Sequence, residues 1–234
     1  LQNFEEKHPH IRGRKIIDRI VLGGSDGVIE SIAATAALNG VGLDFGTIFV
    51  AGFAVAIAGA VSMFFSSYLS ERSGLDALRK DITRERMEIE TEPEEERQEL
   101  EELLQREGYG RSEIQVILNK LASDKEMWLR AQLRHELHLH TGDLSMSPLN
   151  KSIPAGLFFF VGAMIPLLSY IISPTHEIAL IMSILTSLLV LFTLGATKFV
   201  STKHMSVKNG LENAAIGGVA AILLYLIGRL ITLI

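Results

Sequence analysis

Two carboxylates occupy a stretch where few charges are tolerated. Asp26 and Glu30 sit in the segment GGSDGVIES, inside an otherwise apolar run over residues 16–38. Four residues apart, they share one helix face and lie about 6 Å apart along its axis. Acidic side chains inside a membrane span are costly and mark ion pathways or proton relays. A water-filled vestibule, or an ion pair with Arg19 or Lys198, would also account for them. Two ionised carboxylates this close repel, so an arriving dication can displace a proton from the pair.

Three further groups could bind metal. Met63 lies eight residues before Glu71, and Asp26 seven residues after Arg19. If both charged residues mark the same membrane face, Asp26 and Met63 share one depth, about 10–12 Å in. A carboxylate with a thioether suits a borderline divalent ion, although a lone methionine in such a helix is commonly packing. The stretch 84–99, RERMEIETEPEEERQE, is dense in glutamate. Glu85 with Glu88, and Glu96 with Glu99, are i,i+3 pairs that each present two carboxylates on one face. A solvated helix face would have the same spacing. Glu85, however, continues the apolar stripe Leu75, Leu78, Ile82, where a carboxylate needs a partner such as a metal ion, Arg84 or Arg86. Last, His135, Glu136, His138 and His140 cluster. The spacing is not HExxH, which argues against metal-dependent hydrolysis. Glu136 is a candidate ligand; His138 and His140 read as a polar linker.

The elements that must position these groups are helices. The chain has 234 residues, a formal charge of −5, no cysteine and 48% hydrophobic residues. That fraction is ordinary for a soluble protein, but the apolar residues are segregated. Residues 47–69 and 178–197 each run about 20 residues without a charge, enough for a helix to cross a bilayer. Further spans are expected at 16–38, 153–172 and 214–234, with a short loop at 39–46. Beyond residue 70 the second span keeps a helical stripe through Leu75, Leu78, Ile82 and Ile89, so it continues as one long helix. Pro93 opens another helix, Gly108 and Gly110 end it, and two more follow at 112–121 and 124–137. The loops 39–46 and 173–177 contain no Lys or Arg. Lys7, Arg12, Arg14 and Lys15, the 71–150 interval, and Lys198, Lys203 and Lys208 carry the basic residues. The positive-inside rule therefore puts the N-terminus and the acidic interval in the cytoplasm. The polar N-terminal residues carry no cleavable leader pattern, and the acidic balance argues against a nucleic-acid partner.

These residues together resemble the vacuolar iron transporter family, which includes the yeast calcium-sensitive cross-complementer. The resemblance covers nearly the whole chain: GGSDGVIES, AGAVSMFFSSYL, the glutamate stretch, WLRAQLRHEL and GLENAAIGGVAA. It implies an all-α polytopic membrane protein with five transmembrane helices and a cytoplasmic helical metal-binding domain between the second and third. Residues 1–70 then form the N-terminal lead and helices 1–2, residues 71–150 the metal-binding domain, and residues 151–234 helices 3–5. It implies a homodimer in membrane lipid that exchanges cytosolic Fe2+ for protons, not an enzyme, with no prosthetic group and the metal as substrate. Mn2+ is a second candidate ion. The membrane is vacuolar in a eukaryote and the plasma or inner membrane in a prokaryote. By resemblance, Asp26 and Met63 match the family's membrane-path residues, and Glu85, Glu88, Glu96, Glu99 and Glu136 its cytoplasmic ligands. Three positions depart from the pattern. Val55 replaces a path glutamate, Gly59 replaces a second path methionine, and Gln132 and Leu133 replace two adjacent methionines. The sites are thus harder and poorer in sulfur, and Glu30 is the residue placed to supply the missing carboxylate. Two other readings remain at this point: a membrane-anchored metal buffer or sensor without transport, and a scaffold whose acidic helices bind a protein partner.

Overall fold

The computed structural model describes residues 9–135, 147–197 and 206–233, with side chains described from residue 17 and not for residues 134 and 135. The described residues are helical, without strands. The elements are α1 (Pro9–Val41), α2 (Phe45–Thr91), α3 (Pro93–Arg106), α4 (Arg111–Ala122), α5 (Lys125–His135), α6 (Pro148–Ile172), α7 (His176–Thr197) and α8 (Val207–Ile231). Five of them, α1, α2, α6, α7 and α8, are long and apolar enough to cross a membrane. The chain divides into two compact units. One contains the residues through Leu69 and Leu149–Ile234; the other is Ser70–Pro148. Helix α2 contributes to both: at 47 residues it is about 70 Å long, more than twice a bilayer's hydrocarbon thickness.

In the first unit α1 is the central helix. Its apolar window is 61% buried, against 17% in α2 and in α8. Small residues make that burial possible. A Cβ on Gly27 would collide with the backbone carbonyl of Phe159, and one on Gly23 with that of Ala155. Helices α1 and α6 therefore touch backbone to backbone, the packing expected where lipid removes the hydrophobic drive between helices. Around this contact Ala56, Phe159, Ala163 and Leu167 form a cluster joined by Phe53 and Met63. Large aliphatic side chains such as Val50, Ile57, Leu157, Leu185 and Ile222 point outward, as a lipid-facing or partner-facing surface requires.

The first connection is shorter than the expected loop at 39–46. Helix α1 continues through Val41 because Asn39 and Gly40 are packed inward. Asn39 donates to the Thr35 carbonyl at 2.7 Å and to the Tyr170 hydroxyl, and Gly40 rests against Gly228 of α8. Gly42, at φ +84°, then ends the helix, with Leu43 N–H bonded back to Leu38 O at 3.3 Å. Asp44 caps α2 by accepting from the Thr47 hydroxyl at 2.6 Å and the Thr47 N–H at 3.1 Å, bonds that hold its carboxyl below the usual carboxylate value. Helix α8 likewise starts earlier than residue 214. Ser206 caps it by accepting from Asn209 N–H at 3.3 Å.

The second unit closes on its own core. Ile89 of α2, Leu100 and Leu104 of α3, Ile114 and Leu118 of α4, and Trp128 and Leu129 of α5 are buried together. The sequence signals fix the ends of these helices. Pro93 sits in the first turn of α3, the Glu113 carboxylate accepts from Gly110 N–H at 2.8 Å, and Asp124 accepts from the Glu126 and Met127 N–H groups at 2.9 and 3.2 Å. Arg86 pairs with Glu126 at 2.9 Å between α2 and α5. Both are solvent-exposed, so this bridge contributes little beside the core.

Candidate metal sites

In the first unit, Asp26 and Glu30 both lie on the exposed face of α1, and they act on each other electrostatically. Glu30 reaches toward α2. A Cβ built on Gly59 would lie 3.2 Å from Glu30 Oε1 and would collide with the ring of Phe159. The space that a side chain at position 59 would fill is thus taken by a phenyl ring and bordered by a carboxylate. Helices α1 and α2 are joined by a three-residue connection and run in opposite directions. One turn back from Glu30 is Asp26, and one turn on from Gly59 is Met63, which puts Asp26 and Met63 at one level. Met63 is half-buried and packs with the Phe159 cluster. Val55, one turn the other way along α2, is also half-buried and brings no polar atom.

In the second unit, the glutamates differ sharply in exposure. Glu85 is 1% exposed and Glu96 is 5% exposed; Glu88 is half-buried and Glu99 exposed. Arg84 stands at two of them, with Nη2 3.4 Å from Glu85 Oε1 and Nε 3.5 Å from Glu88 Oε2. Glu96 is where the charges converge. Burial pushes its carboxyl above the ordinary carboxylate value, a hydrogen bond from Gln132 pulls it part of the way back, and the charges of Glu99, Glu85 and Glu88 push it up again. Among the described residues, no three of Asp, Glu and His stand close enough together to hold one ion. Glu136, His138 and His140, and Lys198 as a partner for the path carboxylates, lie outside the described residues.

Gln132 is the group that sequence reasoning undervalued. Read as a lost methionine, it is in fact fully buried and donates from Nε2 to Glu96 Oε2 at 2.6 Å. Its carbonyl oxygen Oε1 is buried without a hydrogen-bond partner. A signal was present: Gln132 belongs to the stripe Trp128, Leu129, Leu133 on α5, and a polar residue on an apolar stripe must face a polar group. The amide adds a neutral oxygen donor beside the carboxylates, which suits a hard or borderline divalent cation.

The chain is similar to known proteins along most of its length. The sequence profile of the VIT family matches residues 17–229, a stretch that contains both groups of carboxylates. The chain is 30% identical over 217 residues to vacuolar iron transporter 2 of Oryza sativa subsp. japonica, covering 93% of this chain and 88% of the relative. It is 30% identical over 229 residues to vacuolar iron transporter 1 of Tulipa gesneriana, covering 98% and 92%. A vacuolar iron transporter of Toxoplasma gondii is 26% identical over 226 residues, covering 93% and 75%.

Proposed function

The chain belongs to the VIT family, and from that premise we propose that it moves a divalent transition metal, Fe2+ first and Mn2+ second, out of the cytosol in exchange for protons. One observation carries the reading: the Glu30 carboxylate lies against Gly59, inside the spans and on the Asp26 face of α1. A dication arriving at Asp26 and Glu30 finds two negative charges, with Met63 of α2 at the Asp26 level as a softer ligand. Protonated, the same pair is neutral enough to release the ion. Alternation between these states is exchange, and it uses no group at position 55.

The Ser70–Pro148 unit collects the ion on the cytoplasmic side. Glu85, Glu88, Glu96 and Glu99 supply the charge, Gln132 a neutral oxygen, and Glu136 a further carboxylate. Arg84 stands in for the cation until one arrives. The active form is a homodimer in lipid, with the N-terminus and this unit in the cytoplasm; the membrane is vacuolar in a eukaryote and the plasma or inner membrane in a prokaryote. Metal is substrate here, not a resident cofactor, and no enzymatic step is assigned.

The test is metal uptake into proteoliposomes, with and without a pH gradient. Wild type is expected to accelerate when the gradient favours proton counterflow. Glu30→Gln, which keeps size but cannot ionise, is expected to lose that acceleration, and Glu30→Gln with Val55→Glu to recover part of it. Normal gradient dependence in Glu30→Gln would leave Asp26 as the only path carboxylate and sink the role given to Glu30.

A further inference from the structure

Beyond Glu30 the inward side of α1 turns polar. Ser31, Thr35 and Asn39 follow at four-residue intervals and are 1%, 1% and 7% exposed. They form a single row about 12 Å long. Tyr170 of α6 and Ser183 of α7 face it. Asn39 donates to the Tyr170 hydroxyl, which Thr35 and Ser183 also approach. The protein's own hydrogen bonds do not satisfy this row. Thr35 gives its hydroxyl proton to the Ser31 and Ile32 carbonyls at 2.8 and 3.1 Å, and Asn39 gives its amide protons to the Thr35 carbonyl and Tyr170. Ser31 Oγ, Asn39 Oδ1 and Ser183 Oγ are left buried with no hydrogen-bond partner.

Unpartnered polar atoms are costly in a membrane-spanning bundle. A fixed interhelical knot explains the Asn39–Tyr170 bond but not three open oxygens around it. Ordered water is the partner that would satisfy them. The row contains no carboxylate and no imidazole, so it is a poor host for a dication. Hydroxyls and water do pass protons.

We propose that this row is a hydrated proton conduit within a single chain, separate from the metal's route past Asp26 and Glu30. The proposal rests on the exchange reading above. Protons enter at the end of α1 near Gly42 and travel along water, Ser183, Tyr170 and Ser31. They leave the row at Ser31, which follows Glu30 in the chain. Each oxygen accepts one proton and passes one on, so one proton is delivered and only O–H bonds change. The Asn39 carbonyl has no proton to pass and orients water instead. The titratable groups described near this end include His176, whose ring is 5.0 Å from that of Phe45, exposed Glu177 in the first turn of α7, Asp44 capping α2, and Tyr225 and exposed Arg229 on α8.

Two measurements on the reconstituted full chain test the conduit. Radiolytic hydroxyl labelling reports water beside a buried ring. Tyr170, only 6% exposed, is expected to label at a rate comparable to exposed Tyr109, and on the order of tenfold more slowly in Asn39→Leu. In transport, Tyr170→Phe, which removes one hydroxyl and little else, is expected to lose most of the acceleration by a pH gradient, while metal binding by the reconstituted protein changes less than about twofold. An unlabelled Tyr170 in wild type overturns the conduit. So does a Tyr170→Phe protein that responds to the gradient as wild type does, in which case exchange itself stands. A wild type indifferent to the gradient removes the exchange reading, and the conduit with it.

Discussion

At the scale of single residues, Glu96 is the most informative group. Its carboxyl keeps its proton to a higher pH in the folded chain than in the unfolded one, chiefly because it is buried. The stability tied to that difference is fully present below the unfolded value and is lost as pH rises through the folded one. The metal-free Ser70–Pro148 unit is therefore expected to melt at lower temperature as pH rises through that window. Glu96→Gln is expected to flatten the dependence. The chain has one tryptophan, and Trp128 lies in the core of this unit, so its fluorescence reports the melt directly. An equal pH slope in Glu96→Gln would assign the titration elsewhere. Of the residues in this unit, buried Glu85 was legible from the stripe it extends. The bond between Gln132 and Glu96 was not, because it joins α5 to α3 across 36 positions and no local pattern specifies which helices meet.

At the scale of elements, the sequence marked most of the boundaries. The five long apolar runs stand out because lipid demands an uninterrupted length, and Pro93 and Asp124 each set a helix start by a local mechanism. Helix α1 was misjudged at its end because Asn39 and Gly40 read as loop residues unless their partners Tyr170 and Gly228 are known. The same dependence on partners governs the glycines, which composition alone cannot rank. Gly27 touches the backbone of α6, whereas a Cβ on Gly74 of α2 meets nothing within 4 Å. Gly74→Ala is expected to stabilise the protein by about 0.5–1 kcal/mol through helix propensity. Gly27→Ala must push α1 and α6 apart and is expected to cost about 1–3 kcal/mol or more. Thermal denaturation of the two variants in one detergent checks the contrast; equal behaviour would mean the α1–α6 contact is looser than described.

At the scale of the whole molecule, orientation is the first quantity to test. The absence of cysteine makes site-directed labelling clean. With five spans, a cysteine at exposed Thr175, between α6 and α7, and one at exposed Gln105 of α3 are expected to react from opposite sides of the membrane. Reaction from one side only would require a different number of crossings. The phenyl ring described at Gly59 carries a consequence of another kind, for the routes by which this protein could change. A methionine at position 59 meets the Phe159 ring, so it must displace that ring to fit. Trimming the ring alone opens a cavity costing about 3–5 kcal/mol. The two substitutions are thus each harmful and jointly tolerable, a case of reciprocal epistasis. Stability measured for Gly59→Met, Phe159→Ala and the pair is expected to show a coupling of about 1–3 kcal/mol in favour of the pair. A lineage holding glycine and phenylalanine here would have to cross a fitness valley to regain a second sulfur, and additive effects in that cycle would show the valley to be absent.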